Sequence, residues 1–215
     1  MLTDLGWARA GRGDRVTVLP VPVEPSADPP GGPGEPERDI AAITYAANPA
    51  KKGLDRVLSA WRRVRGERDL AADEQLLVAG ASAHDLRRAG VLAGGEEGIR
   101  VVGRLGPSEY RALLRRARVF VCAPRREDYG LAQLEALADG CQLVSTPAPG
   151  PYAALAIARE LDPRLVDDDL ARALRAALHD PLPGYGARAR ASLAPFSRAA
   201  VDGIVRDQLL PRLLA

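Results

Sequence analysis

The sequence predicts an α/β fold in which helices cover both faces of a parallel β-sheet. Short apolar runs recur along the chain, and segments of roughly ten residues with helical character separate them. The length of 215 residues is enough for one large domain that buries a core of this kind. Ligands of such folds bind beyond the carboxyl ends of the strands, so the loops at that edge are the first place to look for a site.

Five short apolar runs, several of them β-branched, are predicted strands. They are Ile40 to Ala46, Gln75 to Ala79, Ile99 to Val102, Val119 to Cys122 and Leu143 to Ser145. The loops that follow them, where a ligand is expected, are 47–53, 80–82, 103–106, 123–130 and 145–151.

The segments between and after these strands are predicted helices. The clearest begins at Leu54, because Leu54, Val57, Leu58, Trp61 and Val64 recur in steps of three and four and so share one face. The other predicted helices are approximately 82–89, 107–117, 131–139, 151–160, 168–179, 186–193 and 197–214.

Residues 24–38 differ in composition from the rest of the chain. Proline and glycine dominate them, and proline fixes φ and has no N–H to donate, so an extended linker is predicted. The compact domain is predicted to occupy 39–215.

Charge and apolar patterning exclude several classes of function. Thirty basic and twenty-eight acidic side chains leave a net charge of +2, with the arginines spread among acids, which argues against a nucleic-acid groove. The cluster Arg111, Arg115, Arg116 and Arg118 is interpreted as a solvated helix face, with peripheral contact to anionic lipid as the alternative. No run approaches the roughly 20 apolar residues that span a bilayer.

The two cysteines and the start of the chain suggest a cellular location. Residues 1–15 hold no apolar stretch of a signal peptide. Cys122 and Cys141 lie in apolar runs and are interpreted as small buried side chains rather than as a disulfide or a metal pair. A cytoplasmic location is the resulting expectation.

The segment 119–146 carries the most chemical information. A helix begins there near Gly130 and Leu131, where unpaired N–H groups and a partial positive charge suit a phosphate. Glu135 lies about 6–7 Å along this helix, where a ribose diol could donate to its carboxylate. Glu127 precedes the helix and would lie on the other side of the phosphate, beside a sugar. One ligand, a nucleoside diphosphate sugar, explains both acids.

The same segment resembles the paired-glutamate motif of retaining GT-B glycosyltransferases, and its surroundings are similar to those of family 4. The family pattern is Pro-Ser, Glu-Gly-Phe-Gly-Leu, Leu-Glu-Ala-Met-Ala, a glycine and Pro-Val-Val. The matching residues here are Pro124-Arg125, Glu127-Asp128-Tyr129-Gly130-Leu131, Leu134-Glu135-Ala136-Leu137-Ala138, Gly140 and Leu143-Val144. The alternative is a surface glutamate followed by an unrelated glutamate on a helix face.

The resemblance implies a doubly wound, Rossmann-like domain, the C-terminal donor-binding half of a GT-B fold with extra C-terminal helices. It implies that Glu135 binds the ribose, that N–H groups near Gly130 and Leu131 bind the diphosphate, and that Glu127 is the catalytic residue near the anomeric carbon. Tyr129 is a further predicted donor-binding residue. The implied transfer retains configuration by front-face attack, the leaving phosphate helping to deprotonate the acceptor. It needs no metal and no other cofactor.

The first loop matches the family less closely. Family members have Gly-Arg and then Lys-Gly, whose cations neutralise the diphosphate; Lys52-Gly53 fits the second part. At the arginine position the chain has Ala47 or Asn48, and Asn48 could donate a hydrogen bond but supplies no charge. Either Lys51 or Arg126 compensates, or donor binding is weakened.

By the same resemblance, residues 1–23 are the tail of an N-terminal domain that is otherwise missing. Three hypotheses follow. The first is that the chain is a glycosyltransferase that acts with a separate N-terminal GT-B domain or as a homo-oligomer, or that represents a truncated chain. The second is a non-catalytic nucleotide-sugar-binding or regulatory module. The third is a fold that serves protein association only.

Several other residues attract attention. Asp167-Asp168-Asp169 resembles an acidic metal motif but is interpreted as a helix cap, and His84 and His179 have no partner cluster. Gly80 allows either close approach of a base or a plain turn. The loop 147–152 is either a donor-side loop or a rigid turn.

Overall fold

The strands of the protein form one parallel sheet in a computed structural model that describes residues 17–26, 38–67, 70–93 and 96–214. They are β1 Ile40–Tyr45, β2 Leu76–Ala79, β3 Ile99–Gly103, β4 Ala117–Cys122 and β5 Gln142–Ser145. Their order across the sheet is β3-β2-β1-β4-β5, and every neighbouring pair is parallel. The predicted α/β class is confirmed.

The helices of the described part agree with the predicted ones within a few residues. They are α1 Pro49–Lys52, α2 Leu54–Gly66, α3 Ala83–Arg88, α4 Pro107–Arg116, α5 Leu131–Ala138, α6 Ala153–Leu161, α7 Leu170–His179, α8 Tyr185–Ser192, α9 Arg198–Ile204 and α10 Leu210–Leu214. A π-helical turn, Val205–Leu209, joins the last two. Only α1 was not predicted as a helix: Asn48 caps it and Pro49 occupies its first turn, which suits proline.

The sheet is doubly wound about β1. The strands β2 and β3 lie on one side of β1, and β4 and β5 lie on the other. Because crossovers between parallel strands are right-handed, α2 and α3 cover one face and α4 and α5 cover the opposite face. Accordingly α7 packs on α2, whereas α4 packs on α5. The winding reverses between β1 and β4, the place where such folds bind ligands.

The core lies between the strands and the apolar faces of the helices. Trp61 of α2 and Phe120 of β4 are almost completely buried. Burial of a side chain of this size stabilises the fold by roughly 1.5–3 kcal/mol. Cys122 and Cys141 are buried and free, so their interpretation as small core residues is confirmed.

Residues 17–26 are extended and lie along α5. Val21 contacts Tyr129 just before this helix, and Ser26 donates to Asp139 at its end. Val23 is buried, and its N–H donates to the carbonyl of Phe196. The rest of the predicted tail and most of the linker, 1–16 and 27–37, lie outside the described residues.

Among the described helices, none combines the length and the apolar character that crossing a membrane requires.

Candidate functional site

The loops after β1 and β4 meet at the point where the winding reverses. Gly53, after α1, has φ +64, and a Cβ at this position would overlap the carbonyl oxygen of Ala123. Glycine therefore lets the backbones of the two loops touch. This contact places Lys52 of the first loop beside Glu127 of the second.

Glu127 is buried, with 4% of its surface exposed. Its Oε2 accepts from Lys52 Nζ at 2.6 Å and from Gln133 Nε2 at 3.1 Å, and its Oε1 accepts from the Asp128 N–H at 3.2 Å. A carboxylate in this position is ionised and held in one orientation.

The pKa of Glu127 follows from these neighbours. Burial is the largest single influence and raises it, but hydrogen bonds from Lys52 and Gln133, the charge of Lys52 and the Tyr129 N–H act in the opposite direction. Together they outweigh burial, and the pKa of Glu127 lies below its ordinary value.

The loop after β5 holds Glu127 from the other side. The Glu127 N–H donates to the carbonyl of Pro149 at 3.1 Å. Gly150 has φ +116, and a Cβ there would overlap the carbonyl oxygen of Glu127. The loop 147–152 is thus a turn packed directly against the predicted catalytic residue.

The predicted phosphate position is the start of α5. Gly130 has φ +89, precedes the first residue Leu131 and supplies no capping side chain, so the first N–H groups of α5 keep their capacity for a ligand. A Cβ on Gly130 would lie 2.8 Å from the Tyr152 ring. Leu131 is 43% exposed, which leaves the approach open to solvent.

Tyr129 does not offer its hydroxyl to this position. The hydroxyl accepts from the Val21 N–H at 2.8 Å and donates to the Val21 carbonyl at 3.4 Å. Only the backbone of Tyr129 faces Glu127, through the N–H named above.

Glu135 lies further along α5, half-buried and beside Arg111 of α4. Arg111 Nη1 is 4.0 Å from Glu135 Oε1, while its Nε and Nη2 bind Asp139 at 2.5 and 3.0 Å. Burial, the largest influence, raises the pKa of Glu135; Arg111 lowers it and Asp139 raises it. Arg111 is therefore the cation that pairs, at long range, with the residue predicted to bind the ribose.

The interpretation of Arg111 as part of a solvated helix face is wrong. Its side chain is only 17% exposed, because Asp139 draws the guanidinium inward. Arg116 and Arg118, from the same stretch, are paired with Asp39 and Glu74. These neighbours are distant in sequence, which is why spacing alone did not reveal them.

The cations expected to replace the missing arginine lie at the rim of the site. Lys51 Nζ binds Asp128 Oδ2 at 2.7 Å, and Arg126 Nε binds Asp128 Oδ1 at 3.2 Å. Asn48 uses its side-chain oxygen to cap α1, accepting from the Lys51 N–H at 3.1 Å. The oxygen of Asn48 thus has a structural task, and only its amide N–H groups remain for a ligand.

Gln133 was not predicted as a site residue. It is 1% exposed, and besides Glu127 its amide reaches the Cys122 thiol at 3.8 Å. Cys122 in turn contacts the hydroxyls of Ser145 and Tyr152 at 3.4 and 3.3 Å. The available signal was one polar residue in the otherwise apolar face of the segment LAQLEALA.

Other residues singled out from the sequence have structural roles. Asp169 caps α7 and accepts from the Arg172 N–H, so within the acidic triplet capping is confirmed for this residue. The space beside Gly80, with φ +91, is filled by the Tyr45 ring and the Ala47 N atom, which favours the turn. Among the described residues no group of three or more His, Cys, Asp or Glu could hold a metal ion. His84 and His179 therefore belong to no such group.

A family model described as glycosyl transferases group 1 matches residues 38–180. None of the curated proteins matches the sequence. Similar solved structures include the pneumococcal O-GlcNAc transferase GtfA in complex with UDP and GlcNAc (15% identity, TM-score 0.63) and WaaG, a glycosyltransferase involved in lipopolysaccharide biosynthesis (19%, 0.62). A third is an α,α-trehalose 6-phosphate synthase from Burkholderia multivorans (20%, 0.61).

These alignments cover 91%, 89% and 82% of this chain but only 38%, 56% and 43% of the other three, in the same order. The chain thus spans about half the length of the structures it resembles, or less. At such identities the likeness establishes the fold, and the predicted Rossmann-like half of a GT-B fold is confirmed.

Proposed function

Because the chain belongs to the group 1 glycosyl transferases, we propose that it binds a nucleoside diphosphate sugar and supplies the donor half of a retaining hexosyl transfer. The observation that carries this proposal is the Lys52–Glu127 ion pair, which lies at the switch point of the sheet and beside the uncapped start of α5. A cation, an oriented carboxylate and free N–H groups thereby share one edge.

The donor lies along α5 in this proposal. Glu135 accepts from the ribose hydroxyls, the N–H groups at Gly130 and Leu131 bind the diphosphate, and Glu127 faces the sugar. Support comes from the half-burial of Glu135 and from the missing cap at Gly130. The Lys52 ammonium has three N–H groups, so it can bind Glu127 and a phosphate oxygen together.

The proposed reaction breaks the bond between the anomeric carbon and the diphosphate oxygen. A bond to the acceptor oxygen forms on the same face of the sugar, and the acceptor proton passes to the departing diphosphate. Lys52 and the α5 N–H groups stabilise the negative charge that develops there. Glu127, held by three hydrogen bonds, orients the sugar and stabilises positive charge at the anomeric carbon. In this scheme no metal or other cofactor takes part.

The net charge at the rim of the site supports diphosphate binding, although Asn48 supplies no charge at the position of the family's arginine. Lys51, Lys52 and Arg126 carry three positive charges, and Glu127 and Asp128 carry two negative ones, which leaves one in excess. We propose that Lys51 or Arg126 leaves Asp128 to bind the diphosphate, in place of the family's arginine.

Turnover requires a second domain in this proposal. The chain spans 38–56% of three similar glycosyltransferase structures, so the acceptor side would come from an N-terminal GT-B domain on another chain or from a homo-oligomer. The free thiols of Cys122 and Cys141 agree with a cytoplasmic location, where cysteines stay reduced.

A second candidate is a non-catalytic nucleotide-sugar-binding or regulatory module. The replacement of the family's arginine by Ala47 or Asn48 favours it, since that cation would neutralise the leaving group. It predicts donor binding without hydrolysis or transfer.

A thermal-shift panel tests the proposal directly. UDP, GDP, ADP and their common sugars are added to the full chain, and one nucleoside is expected to raise the midpoint; at 100 times Kd the stabilisation is about 2.7 kcal/mol. Hydrolysis or transfer is then measured with that donor. A folded protein that no nucleotide stabilises would leave only the association hypothesis, and binding without turnover in the presence of the partner domain would favour the regulatory module.

A further inference from the structure

Two donors of different kinds bind the same oxygen of Glu127. Lys52 Nζ lies 2.6 Å from Oε2, and the lysine side chain is 22% exposed. Gln133 Nε2 lies 3.1 Å from this oxygen, and Gln133 is only 1% exposed. The cation is thus partly open to solvent, whereas the neutral amide lies inside the protein.

The neighbours of the Gln133 amide fix its orientation. Nε2 donates to Glu127 and to the Cys122 sulfur at 3.8 Å, so both of its N–H groups are used. Turning the amide over would bring its oxygen against the ionised carboxylate, where two acceptors would repel each other. The nitrogen therefore faces Glu127, although Gln133 Oε1 is left without a hydrogen-bond partner among the described residues.

Side chains at the ends of β4 and β5 hold this amide from behind. Cys122 Sγ lies 3.4 Å from the Ser145 hydroxyl and 3.3 Å from the Tyr152 hydroxyl, and these two hydroxyls are 3.2 Å apart. All three residues are buried. The ring of Tyr152 also lies where a Cβ on Gly130 would point, so the same tyrosine backs the start of α5. A connected, buried network of this kind keeps the amide in one place.

A bound donor would act differently on the two partners of Glu127. The Lys52 ammonium is a cation, and a diphosphate competes with the carboxylate for it. The Gln133 amide is neutral and enclosed, so a diphosphate neither attracts it strongly nor reaches it. Gln133 can therefore keep Oε2 of Glu127 in place while Lys52 turns toward the departing phosphate.

We propose that Gln133 is the positioning residue of Glu127, which holds the carboxylate against the donor sugar while Lys52 serves the diphosphate. This role rests on the proposed function, because it presumes a nucleoside diphosphate sugar at the site. Gln133 then determines how well the sugar is recognised and leaves the affinity for the nucleotide alone unchanged. Lys52, in contrast, affects both.

Gln133→Met tests the role, since methionine keeps the length of the side chain and removes its donor. Calorimetry on the full chain gives Kd for the preferred nucleotide among UDP, GDP and ADP, and for its sugars. We expect the affinity for the preferred nucleotide sugar, relative to that for the nucleotide, to fall about tenfold, because a hydrogen bond to a charged group is lost. The Kd for the nucleotide alone should not change.

Gln142→Met is the matched control. Gln142 is also a buried glutamine, and its Oε1 likewise lacks a hydrogen-bond partner among the described residues. Its Nε2 donates to the Ala177 carbonyl at 2.9 Å, so it joins β5 to α7 and does not contact Glu127. We expect Gln142→Met to lower stability through this lost bond and to leave both Kd values as in the wild type.

The pKa of Glu127 provides a readout that needs no ligand. Burial raises this pKa, and the hydrogen bonds from Lys52 and from Gln133 lower it. Gln133→Met should therefore raise it, and Gln142→Met should leave it unchanged. Carbon-13 NMR of labelled glutamate carboxyl groups follows the titration, and the signal that disappears in Glu127→Gln identifies the residue.

Gln133→Asn, whose amide is one methylene too short to reach Glu127, replaces the methionine variant if that variant does not fold. An unchanged pKa of Glu127 in the folded variant overturns the positioning role. Equal losses of affinity for nucleotide and nucleotide sugar also overturn it, since Gln133 would then act on the nucleotide or on the fold.

The proposed function can fail separately. A wild-type protein that binds no nucleotide overturns the proposed function and the role of Gln133 in sugar recognition. A raised pKa of Glu127 in Gln133→Met would still show, in that case, that Gln133 holds the carboxylate.

Discussion

Lys52 Nζ lies 2.6 Å from Oε2 of Glu127, with side-chain exposures of 22% and 6%. The two residues are 75 positions apart and meet because β1 and β4 are neighbours in the sheet. A charge this enclosed is costly without its partner. Removing either charge of the pair should therefore lower the stability of the fold as well as change the charge of the site.

Replacing Lys52 by methionine should destabilise the protein. Glu127 would stay buried with its main cationic partner removed, a loss of about 3 kcal/mol, at the low end for a buried pair because the lysine is partly exposed. Urea unfolding at pH 7 measures it.

Lys51→Met is the matched control. This neighbouring lysine pairs with Asp128 where both side chains are about half exposed, and such surface pairs contribute about 0–1 kcal/mol. Equal losses for the two variants would contradict the distinction between a buried and an exposed pair.

The ionised carboxylate of Glu127 should stabilise the protein at neutral pH, and this contribution should be lost in acid. Its folded-state pKa is lowered, so the unfolded chain binds more protons in this range and stability rises with pH. Its contribution is present above the unfolded-state pKa and is lost as pH falls through the folded-state value. For Glu127→Gln, the stability deficit relative to wild type should be greatest at neutral pH and shrink toward acid, as read from urea midpoints between about pH 3 and pH 7.

The contribution of Glu135 to stability should change with pH in the opposite direction. Burial raises its pKa, so its favourable contribution is present below the unfolded-state pKa and is lost as pH rises through the folded-state value. We expect Glu135→Gln to be more stable than wild type at pH 7, with the difference vanishing in acid. Lower stability of this variant at pH 7 would mean that the attraction of Arg111 dominates.

Nucleotide affinity should distinguish the two glutamates. Glu135→Ala removes the proposed ribose acceptor and should weaken binding of the preferred nucleoside diphosphate by about 1–3 kcal/mol. Glu127→Ala should change this affinity little but abolish sugar transfer or discrimination between sugars. Calorimetry measures both, with the exposed Glu160→Ala as control; unchanged affinity of Glu135→Ala would refute the ribose assignment.

Gly53→Ala should be far more damaging than Gly90→Ala. Both glycines have nearly the same φ, +64 and +66, but a Cβ at Gly90 meets no atom within 4 Å, whereas at Gly53 it overlaps the Ala123 backbone. The conformational penalty alone is about 1–2 kcal/mol, so Gly90→Ala should lose that much and Gly53→Ala about 4 kcal/mol or more. Similar unfolding midpoints for the two variants would show that the loops after β1 and β4 can move apart without a loss of stability.

Much of this architecture could be predicted from the sequence because its signals are local. Alternating apolar runs and helical periods identify the strands and helices, and the segment 127–135 combines a loop, a helix start and two acids within one short stretch. Residues that meet through the fold were not predictable. Gln133 looks like an ordinary helix residue until β4 brings Glu127 beside it, and Arg111 looks solvated until α5 presents Asp139.

The turn that carries Glu127 is held by main-chain atoms. The contacts at Gly53 and Gly150 and the hydrogen bond to Pro149 involve the backbone of three loops, whereas the side chains of Arg125, Arg126 and Asp128 point to its periphery and remain more than half exposed. Substitutions at those three positions would therefore change the charge at the mouth of the site, and with it the affinity for a diphosphate, while the main chain keeps the carboxylate in its location.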